Sequence, residues 1–242
     1  CYNSRMEIRI KCLDYEIAAD WLEGATTSKI LIVLPGYNSS KARQRIHAEA
    51  MVKLTGMSAL VVDFSGHGNS PFELRDTSPA QHFLELIYVF DWLKQKYPNT
   101  DLSVSGGSYG GFLAVQLTKY RKFTQLVLRA PAIYRPEAFY DLWSMHIDNV
   151  ELSKLQMTAY RQNAEALANH PLLVRAKTFK GKVLVVVHEN DEEIPHQTTD
   201  AYIKAFNADS FIAKGFAHSL RKSTYTKEQL EEYQDKIASW LT

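Results

Sequence analysis

Five short apolar runs restrict this chain more than any other feature. They read "KILIVLPG", "SALVVDFSG", "DLSVSGG", "QLVLRAP" and "GKVLVVVHEND", beginning at residues 29, 58, 101, 125 and 181. Each is short, β-branched and apolar rather than alternating, which is how a strand reads when both faces of a parallel sheet are covered. Helical spacing fills the gaps between the first three, over 42–54 and over 79–97, where Phe83, Leu86, Ile87, Phe90 and Leu93 share one stripe. Strand alternating with helix predicts a doubly wound α/β sheet, whose ligands gather outside the carboxyl ends of the strands. Upstream, Glu7 to Lys11 alternates, as does Tyr15, Ile17, Ala19, Trp21, with Cys12-Leu13-Asp14 between them. That pattern predicts an N-terminal antiparallel hairpin.

One interval breaks the rhythm. Residues 132–179 contain no strand-like run but do contain "AFYDLWSMHIDN" and "LSKLQMTAYRQNAEALA". A structureless loop of that length does not suit a compact sheet protein, so a mostly helical insertion over the sheet is expected. The stretch from Ser219 to Thr242 closes the chain as a helix, with Leu230, Tyr233, Ile237 and Trp240 as its expected buried side. A chain of 242 residues of this type is expected to form one domain, with 132–179 inserted within it.

The charge balance excludes some functions. With 23% charged residues and a formal net charge of +1, nothing calls for a nucleic-acid or membrane-surface partner. The longest apolar runs, Ile30 to Leu34 and Val183 to Val187, fall far short of the ~20 residues of a membrane span. Cys1 and Cys12 are too few for a disulfide framework and form no CxxC zinc motif. The start at Cys1 reads as trimmed or processed, and a cytoplasmic rather than secreted location is expected. Oligomeric state is not legible here.

The chemistry concentrates in "LSVSGGSYGGF", residues 102–112, where four of only 11 glycines surround one serine. Gly106-Gly107-Ser108-Tyr109-Gly110 has the G-x-S-x-G form, in which a serine sits on a tight strand-to-helix turn. Loops after parallel strands all lie on one edge of the sheet, so motifs distant in sequence can meet there. Pro35-Gly36-Tyr37 follows "ILIVL", "DFSGHGNS" follows "LVV", "HENDEEIP" with Asp191 follows "LVVV", and "GFAHS" with His218 follows "SFIAK". A serine, an acid and a histidine thus occur in that order, each at an expected strand end.

Together these pieces resemble the α/β-hydrolase family over essentially the whole chain. The matching parts are the elbow at 106–110, the D-x-x-G-x-G-x-S loop at 63–70, "NDEEIP" and "AHS", and the likeness is to small capped serine esterases of the feruloyl and carboxylesterase kind. The resemblance implies Ser108 as nucleophile, His218 as general base, Asp191 as its orienting acid, and no cofactor. It further implies backbone N–H donors from Tyr109 and Tyr37 for the oxyanion, although Pro35-Gly36 stands where many members have His-Gly. Glu189, Glu192 and Glu193 compete with Asp191, which the spacing Asp-x-x-Ile-Pro favours. His67 in "GHG" reads as structural, and His188, Asp191 and His196 match no familiar metal spacing. Tyr134, Phe139, Tyr140 and Trp143 are expected either to line an acyl or aromatic pocket or to form the insertion's own core. The expected substrate is a small-molecule ester with a short or aromatic acyl group. A thioesterase, lactone hydrolase, peptidase, cofactor-free perhydrolase or silent binding protein are the alternatives.

Overall fold

The computed structural model describes residues 5–146, 150–220 and 225–242. Its chain begins with two antiparallel strands, β1 (Arg5–Cys12) and β2 (Tyr15–Leu22). They are joined by a two-residue turn in which Leu13 takes φ 57°, with Cys12 opposite Tyr15. The remaining strands are β3 (Thr26–Leu34), β4 (Met57–Val62), β5 (Asp101–Gly107), β6 (Gln125–Arg129), β7 (Lys182–Asn190) and β8 (Asp209–Ala217). Among the described residues they form one eight-stranded sheet in the order β1-β2-β4-β3-β5-β6-β7-β8. Only the pairings of β2 with β1 and with β4 are antiparallel.

The apolar runs explain the layering. Along β3, Ile30, Ile32 and Leu34 enter one buried cluster while Leu31 and Val33 enter the other, since successive side chains leave a strand on opposite faces. Helix α1 (Lys41–Thr55) covers the second face with Ala48, Met51 and Val52. Helices α2 (Pro79–Lys96) and α3 (Tyr109–Leu117) cover the first. The interval 132–179 contains two 3-10 turns, Pro136–Phe139 and Trp143–His146, and helices α4 (Val150–Gln162), α5 (Ala164–Ala168) and α6 (Pro171–Ala176), with no strand among its described residues. The chain ends with α7 (His196–Phe206) against the first face and α8 (Lys227–Leu241) against the second.

The loop after β4 is a structural device. Asp63 accepts the Lys41 N–H with one carboxylate oxygen (2.5 Å) and the Asn69 N–H with the other (3.0 Å). It thereby supplies the first turn of α1, whose N-cap Ser40 makes no side-chain bond. A Cβ on Gly68 would overlap that carboxylate, which explains the glycine. Ser70 ties the loop to the sheet, donating to the Asp63 carbonyl and accepting the Ala18 N–H. His67 is buried with Nδ1 on the Ser65 carbonyl.

Two helix faces differ from the spacing argument. On α2, Phe83 and Ile87 are only half-buried, whereas His82 and Glu85 are fully buried, because each has polar partners waiting inside. On α8 the buried side is Tyr233, Gln234, Ile237, Ala238 and Leu241. Trp240 lies half-buried because its indole N–H donates to Asp209 (2.7 Å) at the start of β8.

Ile32, with no exposed surface in a central strand, sets the scale of core energetics. Urea titration should show Ile32→Ala destabilised by about 2–5 kcal/mol, and Ile46→Ala, on the exposed side of α1, by no more than about 0.5 kcal/mol.

Candidate active site

Between the last residue of β5 and the first of α3 stands a single residue, Ser108, with φ 50° and ψ −116°. A side chain in that region of backbone space costs about 1–3 kcal/mol and persists only where its surroundings impose it. Those surroundings are visible. The Ser108 N–H donates to the Arg129 carbonyl (2.9 Å), and the Ser108 carbonyl accepts from Gly111 (3.0 Å), Phe112 (3.2 Å) and Ala132 (3.0 Å). The chain also needs two glycines to pass so closely. A Cβ on Gly106 would strike the Gly110 carbonyl, and one on Gly110 would stand 2.6 Å from the Pro35 carbonyl oxygen.

Strands β7 and β8 are parallel neighbours, so the loops leaving them are adjacent. From the β8 loop, His218 places Nε2 3.0 Å from Ser108 Oγ and Nδ1 2.8 Å from Asp191 Oδ2. Asp191 is held from its other oxygen, which accepts the N–H groups of Glu193 (2.9 Å) and Ile194 (2.8 Å). An ionised carboxylate only accepts, so Nδ1 carries the ring proton and Nε2 presents a lone pair to the serine hydroxyl. Burial pulls the His218 pKa down, but the hydrogen bond and charge of Asp191, helped by Glu193, outweigh it and leave the value above that of an ordinary histidine. Burial pushes the Asp191 pKa up, yet the His218 contact and the two backbone donors more than reverse this.

The competing acids have other partners. Glu189 accepts the Gly215 N–H (2.7 Å), and Glu192 lies 3.4 Å from the His218 backbone nitrogen. Glu193 is largely exposed, 3.6 Å from Nε2 on the side where Ser108 also sits. Among the described residues, no group of three His, Cys, Asp or Glu side chains could hold a metal ion, and His196 opens α7.

The loop after β3 runs beside the serine, where a Cβ on Gly36 would be 3.6 Å from Ser108 Cβ. Tyr37 follows, and its ring packs on Trp143 with centroids 4.6 Å apart. The Tyr109 N–H is at the first position of α3, where no carbonyl of the helix's own can reach it. Its side chain turns inward and is fully buried, with its hydroxyl 2.7 Å from His82 Nδ1. His82 Nε2 lies 3.0 Å from the Ser65 carbonyl, which can only accept, so Nε2 carries the proton and the tyrosine donates to Nδ1. Burial pushes the His82 pKa down to about 3, keeping the ring neutral. Sequence spacing missed this anchor because it joins α2, α3 and the β4 loop. A histidine on the apolar stripe of α2 was the available signal.

The four aromatics of the insertion do not share one environment. Trp143 and Tyr134 both pack edge-on against Tyr109, and Tyr134 also touches Phe112. Phe139 packs against Phe83 and Phe112. Tyr140 is 78% exposed, and its ring contact among the described residues is with Phe139 rather than with the residues around Ser108. Tyr140, which follows the 3-10 turn Pro136–Phe139, is thus solvated, unlike its three companions.

A mostly parallel sheet with helices on both faces, and a serine at the turn from its central strand into a helix, define the α/β-hydrolase fold. A family model described as serine aminopeptidase, S33 (Hydrolase_4), matches residues 25–225, and the chain belongs to that family of hydrolases. Among solved structures it is similar to the Pyrococcus furiosus esterase Pf2001 (19% identity, TM-score 0.72, covering 99% of this chain and 92% of that one). It is also similar to Est1E from Butyrivibrio proteoclasticus with ferulic acid bound (17%, 0.71, 97% of both chains). A third similar structure is a Pyrococcus horikoshii acylaminoacyl peptidase (15%, 0.70, 99% of this chain and 41% of that one). No curated protein matches the sequence. Among the described residues, no helix is long and apolar enough to cross a membrane.

The raised His218 pKa has a kinetic sign. Only a neutral imidazole can accept the serine proton, so kcat/KM is expected to rise with pH through an apparent pKa above about 6.5, the ordinary histidine value. Asp191→Asn removes both upward influences of that residue and should move this limb to lower pH while cutting kcat by about 10⁴-fold. Glu192→Gln should leave the limb in place. The pH profiles of the three proteins check this.

Proposed function

We propose that the chain is a carboxylic ester hydrolase that works through an acyl-enzyme on Ser108. The observation that carries this reading is the unbroken hydrogen-bonded line from Ser108 Oγ through His218 to Asp191. In the first half-reaction His218 Nε2 takes the hydroxyl proton as Oγ attacks the ester carbonyl, and then returns it to the departing alcohol. Asp191 keeps the proton on Nδ1 and stabilises the imidazolium. Water then attacks the acyl-enzyme with the same base, releasing the acid. The Tyr109 and Tyr37 backbone N–H groups serve the oxyanion, each worth about 3–4 kcal/mol of transition-state stabilisation. Tyr109 is the better fixed of the two, since its side chain is anchored on His82. No cofactor takes part.

Residues 132–179 act as a cap within a single domain and set substrate choice. Trp143 and Tyr134 pack on the ring of Tyr109, the residue after Ser108, and Phe139 packs on Phe112, an aromatic layer that we read as favouring a short or aromatic acyl group of a small-molecule ester. The ferulic acid in Est1E is consistent with an aromatic acyl preference. Tyr140, exposed, has little part in it. Peptidase action is the second reading, favoured by the description of the family model and by the acylaminoacyl peptidase of the same fold.

Ser108→Ala and His218→Ala should each lower kcat on a chromogenic ester roughly 10³-fold or more without changing the folded spectrum. Near-normal ester hydrolysis by Ser108→Ala contradicts the assignment. A panel of esters of graded length, an aryl ester and aminoacyl amides ranks the two readings, with aryl or short esters expected to show the highest kcat/KM.

A further inference from the structure

Behind the sheet edge that carries Ser108, a second line of polar side chains runs through the other face. Arg129 ends β6, Tyr233 lies on α8 and His188 lies near the end of β7, all buried. Arg129 already touches the elbow, since its carbonyl accepts the Ser108 N–H. Its guanidinium lies beside Gly107 and donates to Gln44 Oε1 (2.8 Å). The same guanidinium faces the Tyr233 hydroxyl closely enough that the two groups influence each other electrostatically. That hydroxyl lies 3.3 Å from His188 Nε2, and His188 Nδ1 lies 2.9 Å from the carbonyl of Ala217, the residue before His218.

The hydrogens of His188 and of the Tyr233 hydroxyl each have one direction open to them. The Ala217 carbonyl can only accept, so Nδ1 of His188 donates and Nε2 keeps its lone pair. The tyrosine hydroxyl therefore donates to Nε2 and turns its oxygen toward the guanidinium, which can only donate. His188 also grips the acid loop, because its backbone carbonyl accepts the Asp191 N–H (3.4 Å). One residue thus contacts the peptide before the base through its side chain and the acid through its main chain.

The structure assigns to Arg129, Tyr233 and His188 a positioning role, fixing the Ala217–His218 peptide so that the imidazole spans the gap between Ser108 and Asp191. This rests on Ser108 and His218 being nucleophile and base. Without the tyrosine hydroxyl, Nε2 of His188 loses its donor and is left unpartnered in the interior, so the ring, and the Ala217 carbonyl it holds, are less firmly placed. Displacements on the order of 1 Å in a reacting group cost about 10²-fold in rate.

Fluorophosphonate labelling tests the two layers separately, with near-UV circular dichroism showing that each variant is folded. The wild type must label on Ser108 in a way that needs His218; if it does not, the nucleophile assignment itself fails. Given that labelling, Tyr233→Phe and His188→Leu should lower the maximal inactivation rate about 10- to 100-fold with the inhibitor's half-saturation unchanged. His188→Asn, which keeps a donor for the Ala217 carbonyl, should recover most of the rate. The proposal is overturned, and the nucleophile assignment left standing, if folded Tyr233→Phe and His188→Leu label as fast as wild type. It is equally overturned if His188→Asn is as slow as His188→Leu.

Discussion

The backbone of Ser108 is the constraint on which the site depends. Its φ of 50° is uncommon for a residue with a side chain, and it is held by one bond to the Arg129 carbonyl and three onto its own carbonyl. The strain of about 1–3 kcal/mol is small beside the apolar surface buried in strands β3 to β7, so the fold can carry it. In return the hydroxyl is lifted off the end of the central strand, and the next N–H is left at a helix start with no helical carbonyl to receive it. Both consequences follow from one residue's geometry.

Parallel strands make the rest of the site geometrically available. Loops from β3, β5, β7 and β8 open on the same edge, which is why residues 37, 108, 191 and 218 lie close together. Electrostatics then fixes their protonation. Asp191 is charged because its oxygens meet two backbone donors and an imidazole, and that charge dictates which nitrogen of His218 holds the proton. Burial alone depresses an imidazole's pKa, as it does at His82 and His188; the carboxylate reverses the sign at His218.

Much of this was legible in the amino-acid sequence, for definite reasons. The apolar runs became strands because both faces of the sheet are covered, β5 admitting the buried Ser103 and Ser105 by pairing them with Gln125 and His47, and helices α1 and α2 begin and end within a residue or so of their periodic stretches. Ser108, Asp191 and His218 could be picked out because each stands just past such a run. Periodicity was less informative on α2 and α8, where His82, Glu85 and Gln234 are polar residues on buried faces, visible only once their partners from other elements are in place. The anchor of Tyr109 on His82 and the line from Arg129 to Ala217 join elements distant in the chain, so spacing shows a histidine on the apolar stripe of α2 but not the partner it meets. The insertion reads as strandless from composition, but the separate fates of Trp143, buried against Tyr37 and Tyr109, and Tyr140, exposed just after the first 3-10 turn, depend on contacts with other elements.

The most direct measurement is mass spectrometry of the enzyme quenched in acid shortly after mixing with a p-nitrophenyl ester. An acyl group should appear on the peptide containing Ser108, forming with the burst of nitrophenol and decaying at the turnover rate. Steady turnover with no adduct, or with the acyl group on another residue, would contradict the account.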